Sequence, residues 1–535
     1  MEFINKEALF EHTNVLASDE FTGRFPGTDG EDKTIQYISQ TFQKLGIKPA
    51  NRKENTYTQA VPLVEMKLLD NPVLSYENLD GSNGELILGN EVATYTLKSP
   101  SEAFSLDHAE MVFLGFGIDA PEFDWNDYEG LDVTNKIVVV LVSDPGVVFH
   151  ENRQEITEKR QFKGKKMTYY GRWTYKFEEA ARKGAKGVFV VHNEKYAGYP
   201  WSVAAIRYDS PYIIINEQFD PQNNIIQAWI SESAVQKLTG KNYLQLAELV
   251  NSPGFKPFSI ARNSSVSIKN SLRNFVSHNI VGLVESSHFN DASIDDENIL
   301  IYSGHWDHFG KSAEGIYHGA RDNALSVSAC ITIAQQFIHF KQSNQLNASI
   351  LLFFATAEEQ GLLGAEFYAQ NPLFPLKNTL GILNMDLINV FHKTKDISFY
   401  GDISNSPFLP FIDSALKIQS RTLSEDPDPT NGMFYRSDHY RFSKHGVPAL
   451  FINMGFTPFH SNLPSDILLV KNRLWTRFCY HKFADLPLVN DFLVTADSGE
   501  QISLVWDLEG GVEDVQLLYL IGQLYLQSKT NSDAK

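Results

Sequence analysis

From residue 270 onward, short unbroken apolar runs alternate with stretches that place apolar residues every three or four positions. The runs in "NILIYSGHWDH", "ASILLFFATAEE", "LGILNMDLI" and "GVPALFINMG" have strand length and no polar alternation. That is the pattern of strands buried on both faces. Between them, "NALSVSACITIAQQFIHF" and "GLLGAEFYAQN" read as helices. Such alternation predicts an α/β fold, a mostly parallel central sheet flanked by helices. Ligands in these folds bind beyond the carboxyl ends of the strands.

The N-terminal 50 residues are also helical in pattern. "NKEALFEHTNVLAS" is one helix. "EDKTIQYISQTFQKLGI" is a second, with Ile35, Tyr37, Ile38, Phe42 and Leu45 on one face and Gly46 at its end. The Gly-, Asp- and Pro-rich "DEFTGRFPGTDG" between them reads as a loop. From about 105 to 262 the texture changes. "AEMVFLGFGI", "KIVVVLVS" and "KGVFVVHN" read as strands, and "YKFEEAARKGA" as a short helix. This predicts a β-rich module at 105–262 without clustered metal-type residues. It interrupts one α/β domain made of residues 1–104 and 263–535. At 535 residues the chain is too long for one ordinary core, which agrees with two or three domains.

Composition narrows the partners. Hydrophobic residues make up 43% and charged residues 21%, as in a folded globular protein. Lys+Arg 46 against Asp+Glu 65 gives −19, which argues against a nucleic acid or an anionic membrane as partner. Two cysteines, Cys330 and Cys479, cannot build a disulfide framework. No apolar span reaches membrane length. The N-terminus lacks the apolar core of a secretory signal. The expected location is therefore cytoplasmic, or secreted or periplasmic if a leader has been removed.

The predicted strand ends carry the chemistry. They deliver His305, Asp307 and His308, then Asp322 just before a helix, then Glu358 and Glu359, then Asp386. Taken singly, each has a plain reading: a structural histidine, a helix N-cap, a solvated acid pair. Together, carboxylates aimed at one crevice repel one another and call for a compensating cation. Histidine and carboxylate donors without thiolates suit Zn²⁺ or another divalent ion at a catalytic site. Two ions are expected. Asp322 is short enough to bridge a pair, and each ion takes one histidine and one further carboxylate. Adjacent side chains at a strand end point in different directions. Glu359 is therefore read as a ligand and Glu358 as the general base that takes a proton from the attacking water. Asp307 is placed to orient the His305 imidazole.

These residues resemble a known family. "GHWDH", "GARDNA", "TAEEQGLLGA", "NMD" and a late "YH" are similar to the M28 family of zinc-dependent aminopeptidases, in the version with an inserted protease-associated (PA) domain. "LASDEFTGRFPGTDGEDKTIQYISQTFQKLGIKPA" looks like that family's N-terminal helices. "GFGIDAPEFDWNDYEGLDVTNKIVVVLVSDPG" looks like its PA insert. "GMFYRSDHYRFSKHGVPALF" and "WDLEGGVEDVQLLYLIG" look like its late catalytic segment and final helix. The resemblance covers nearly the whole chain. It implies one zinc on His305 and Asp386, a second on Glu359 and a late histidine, and Asp322 between them. The family's Tyr-His pattern with an acid four residues on fits Tyr480, His481 and Asp485. His481 is therefore the implied ligand, with His460 as the alternative. Tyr480 inherits the role of oxyanion donor. Arg321 departs from the family, which more often has a small, polar or acidic residue there; a cation at that position either alters substrate preference or turns outward. The segment from Leu486 to Val505 also looks longer than usual.

The reading is a di-zinc aminopeptidase that cleaves the first bond of peptides with a free N-terminus, with Asp438 a candidate partner for the substrate ammonium. Two rivals use the same scaffold. A receptor-like binding protein would lack ligands or the base, and here every position is filled. A glutaminyl-cyclase-like acyltransferase would be expected to lack the PA insert.

Overall fold

A computed structural model of the protein describes residues 1–95, 103–152, 162–205, 211–216, 225–488 and 490–532. The chain divides into two compact units. One is Met1–Pro62, Val276–Pro427 and Arg436–Lys535; the other is Leu63–Phe275 and Asp428–Tyr435. Among the described residues, no helix is long and apolar enough to cross a membrane.

The first unit is built on a mostly parallel sheet flanked by helices, as the apolar runs predict. Its central strands lie in the order Ala449–Ile452, Thr379–Asn384, Ile299–His305 and Ser349–Ala355, all parallel. Antiparallel neighbours flank them: Phe399–Tyr400 on one side, and the end of strand Phe258–Val284 on the other. Successive side chains of a strand face opposite ways. Accordingly Leu300, Tyr302, Ile350, Leu352 and Phe354 enter one hydrophobic cluster. Ile299, Ile301, Leu351, Phe353 and Ala355 enter another on the opposite face. A strand covered on both faces has no position at which a polar residue reaches water, so these runs are apolar nearly throughout.

Helices Leu325–Ser343, Lys6–Leu16 and Glu509–Ser532 contribute to the first cluster, and Leu363–Gln370 and His439–Ser443 to the second. The second N-terminal helix, Asp29–Leu45, is acidic in its first turn and ends at Gly46, whose φ of 75° closes it. Helix Glu509–Ser532 approaches strand Ile299–His305 closely. The Tyr302 hydroxyl donates to the Leu518 carbonyl at 3.0 Å, and a Cβ on Gly522 would lie 2.0 Å from the same hydroxyl. Strand Phe258–Val284, 27 residues long, is the main element that the hydrophobic pattern does not announce. Most of it is polar, Ser- and Asn-rich and mixes buried with exposed positions, and only its last stretch, Asn279–Val284, is buried throughout.

The second unit centres on three parallel, fully buried strands, Ile137–Leu141, Gly187–Val191 and Ile226–Ile230. Helix Trp173–Arg182 packs on Gly187–Val191 and buries Lys176 completely. The Lys176 ammonium donates to the Ser143 carbonyl at 3.1 Å. Burial pulls its pKa down to about 7, against the opposing pull of Asp127 and Asp144.

The contact at Gly522 yields a stability test. Replacing Gly522 with leucine forces overpacking against Tyr302 and Leu300 and is expected to cost about 1–3 kcal/mol. Chemical denaturation checks this; a midpoint equal to that of the parent protein contradicts the close packing of helix on strand.

Candidate active site

Register brings the chemistry to one edge of the sheet. His305 pairs with Ala355, and Ser303 pairs with both Phe353 and Asn384, so three parallel strands end side by side. The residues after those ends are the predicted ones. Sharp turns aim them. Ala357 (φ 50°), Leu387 (φ 59°) and His481 itself (φ 56°) adopt left-handed backbone, which non-glycine residues rarely do. Each sits at or next to a candidate functional residue, where such strain tends to collect. After Ala357, the Glu358 carbonyl accepts from both Gly361 (2.9 Å) and Leu362 (2.8 Å), which closes the turn.

Asp322 lies at the centre. Its Oδ1 is 3.2 Å from His305 Nε2, and its Oδ2 is 3.3 Å from His481 Nε2. On the His305 side stand Glu358 at 3.6 Å and Asp386 at 3.8 Å. On the His481 side stands Glu359 at 3.2 Å. The adjacent glutamates thus face different histidines. His305, Glu358 and Asp386 form one group with the spacing of a metal site; His305, Asp322 and Glu359 form another. His460 is exposed and lies in neither group.

Around these groups runs a shell of ties that the sequence pattern only partly revealed. The Asp307 carbonyl lies 3.1 Å from His305 Nδ1, while its carboxylate is 3.7 Å away. That carboxylate instead accepts the backbone N–H groups of Glu358 (3.0 Å) and Glu359 (3.4 Å). Asp485 does the same for the loop before helix Leu325–Ser343, accepting from the N–H groups of Arg321 and Asp322, each at 3.0 Å. His308, whose only signal is its place three residues after His305, puts Nδ1 2.7 Å from Glu359. Ser437 accepts from Asn384 at 2.7 Å and bonds to Asp386. Arg321 does not turn outward. Its guanidinium is buried, donates to the carbonyls of Ile388 (2.9 Å) and Leu387 (3.1 Å), and lies 4.5 Å over the Trp475 ring.

Residues 280–488, which contain this whole cluster, match the model of peptidase family M28. Comparison with curated proteins finds no match to the chain. Among solved structures, the chain is similar to an aminopeptidase from Aneurinibacillus sp. strain AM-1, at 15% identity over 98% of this chain and 94% of that one, with a TM-score of 0.50. It is also similar to BSAP, a zinc aminopeptidase from Bacillus subtilis, at 15% identity over 98% and 94%, with a TM-score of 0.45. At such identity the first of these likenesses shows a shared fold.

Burial sets the electrostatics of the cluster. It pushes Glu358 well above the usual carboxylate range, with Asp386, Glu359 and Asp438 adding to the effect. Burial likewise pushes Asp307 up to about 7. For Glu359 burial acts upward too, but His481 and His308 outweigh it and hold the group down to about 2. Desolvation opposes charge on the histidines, yet Glu358, Asp322 and Asp386 raise His305 well above its ordinary value. Glu359 and Asp322 bring His481 up to about 9. Tyr480 stacks on His481, with ring centroids 3.7 Å apart, and burial raises its hydroxyl well above the ordinary value. Asp438 is wholly buried, neither of its carboxylate oxygens is hydrogen-bonded, and burial pushes it up to about 8.

These shifts give a signed pH dependence. In protein stripped of metal, the stability from His481 is complete below 6.5 and is lost as pH rises through about 9. Asp438 acts in the same direction, losing its contribution between its ordinary 3.8 and about 8. Glu359 acts oppositely, but only between about 2 and 4.5. The thermal midpoint measured in chelator should therefore fall from pH 6.5 to 9; a flat or rising midpoint over that range contradicts the charge arrangement.

Proposed function

We propose that the protein is a di-zinc aminopeptidase. The observation that carries the reading is Asp322, which offers one carboxylate oxygen to each of two histidines that have carboxylates of their own. The donors fit a metal. His305 Nε2 is buried without a hydrogen-bond partner, and three carboxylates surround it. In this reading His305 and Asp386 would hold one zinc and Glu359 and His481 the other, with Asp322 available to either. Zinc there supplies Lewis acidity for the scissile carbonyl and lowers the pKa of water toward neutrality.

The chain's own residues do the rest. If His305 Nδ1 carries its proton, it donates to the Asp307 carbonyl and leaves Nε2 free as a ligand. Glu358, ionised when cations offset its neighbours, takes a proton from water as the oxygen attacks the carbonyl carbon. It returns that proton to the nitrogen as the C–N bond breaks, and the first residue leaves as a free amino acid. Tyr480 is assigned as hydroxyl donor to the oxyanion. Substrates are peptides with a free N-terminus, the class implied by the aminopeptidase whose fold the chain shares. The predicted insert at 105–262 falls within the unit Leu63–Phe275 with Asp428–Tyr435 and is read as the PA domain.

Glu358→Gln should retain about two zinc ions per chain and lose about 10²–10⁴-fold in kcat on aminoacyl anilides. Full activity in this variant would remove Glu358 as the base. A second comparison separates the histidines. His481→Ala should drop zinc content to about one per chain and abolish turnover, while His460→Ala changes neither. Equal metal content in the two variants would refute the ligand assignment.

A further inference from the structure

The loop "DEFTGRFPGTDG" was legible only as a connector between two helices, yet it supplies a wholly buried arginine. Arg24 Nε donates to the Trp306 carbonyl at 2.7 Å. Nη1 donates to Leu16 at 2.7 Å and to His318 at 2.6 Å, and Nη2 to Gly319 at 2.8 Å. All four acceptors are backbone carbonyls. Among the described residues, no carboxylate forms an ion pair with the guanidinium, so this buried cation is not explained by a simple salt bridge.

The acceptors explain it. Trp306 lies between His305 and Asp307. His318 and Gly319 lead into the segment that carries Asp322. Leu16 ends the first helix, where unpaired carbonyls favour a cation. One planar fork therefore joins the two site loops whose side chains, His305 and Asp322, meet at 3.2 Å. The backbone reinforces the joint: His308 N–H donates to the Arg24 carbonyl at 3.3 Å, and Gly310 N–H to the Gly23 carbonyl at 2.9 Å. A Cβ on Gly23 would lie 2.4 Å from the Gly310 carbonyl oxygen, and one on Gly319 would lie 2.8 Å from Arg24 Nη2.

We infer that Arg24 is a positioning residue for the metal site: it fixes the spacing between the His305 loop and the Asp322 loop, and thereby the affinity of the site for zinc. This rests on the zinc reading above. A lysine at position 24 keeps the charge but cannot present donors in a rigid planar fork to carbonyls from three segments. The charge and the geometry are therefore separable.

The test uses the full chain, stripped of metal and titrated with zinc against a chromophoric chelator. Arg421→Lys serves as control. Arg421 is also a buried arginine, bonded to Asp514 (2.8 Å), the Thr394 hydroxyl (2.7 Å) and the Asp396 carbonyl (2.6 Å), none of them a proposed zinc ligand. Arg24→Lys is expected to weaken zinc binding by about tenfold or more. Arg421→Lys should lower the metal-free thermal midpoint yet bind zinc as the parent protein does. Zinc affinity in Arg24→Lys equal to or tighter than the parent's overturns the inference, as does an equal loss in both variants. If Arg24→Lys does not fold, Gly23→Ala displaces the same loop with the arginine retained, and unaltered zinc affinity there is equally fatal. Should the parent protein bind no zinc at all, the zinc reading fails along with this one; parent binding with unaffected variants sinks the role of Arg24 alone.

Discussion

Asp322, Glu358, Glu359, Asp386 and Asp438 are all buried, the glutamates and Asp386 just after parallel strands and Asp322 and Asp438 just before helices, and Glu358 and Asp386 each feel the charge of others in the group. Carboxylates in such a place repel one another and lose their hydration, so the arrangement is unfavourable by itself. The fold answers in two ways. It interleaves histidines, with His305 and His481 each touching Asp322, and it holds the backbone of each acidic loop by hydrogen bonds from outside the cluster. The split in proton affinity follows from position. Glu359, between His481 and His308, is held down to about 2, whereas Glu358, facing more acids than bases, is pushed well above the usual carboxylate range. Two neighbouring glutamates of the same chemistry are thereby given opposite shifts in proton affinity.

The ties that secure this cluster follow one rule: each acts on backbone next to a functional side chain. The Asp307 carboxylate holds the N–H groups of the glutamate pair, Asp485 those of Arg321 and Asp322, and Arg24 the carbonyls flanking His305 and leading to Asp322. Hydrogen bonds to backbone fix where a side chain starts and leave its own atoms free for a ligand. The left-handed residues Ala357 and Leu387 show the same economy of shape, since sharp turns after strands let consecutive residues face one crevice; His481 makes such a turn after helix Ile467–Phe478.

Much of this was legible in the chain. Apolar runs of strand length in "ILLFFA" and "LIYSG" must be buried on both faces, and that alone implies a covered parallel sheet with its ligands at the strand ends. The acids and histidines that follow those runs are the ones that converge. What stayed hidden was of another kind. Strand Phe258–Val284 is mostly polar, so its length depends on its neighbours. Arg321 reads as an exposed cation until Trp475 and the carbonyls of Leu387 and Ile388 are seen around it.

The sequence by itself determined the α/β character and the acids and histidines that gather beyond the strand ends. Those follow from local periodicity and from the donor chemistry of histidine and carboxylate, which need no knowledge of distant partners. Tertiary structure alone decided that His481 and not His460 joins Asp322, that Asp307 grips the glutamate backbone with its carboxylate, and that Arg24, 282 residues from Trp306 in sequence, binds its carbonyl. The reason is that these are contacts between segments far apart in the chain, and hydrophobic periodicity records which way a residue faces but not which remote backbone it will meet.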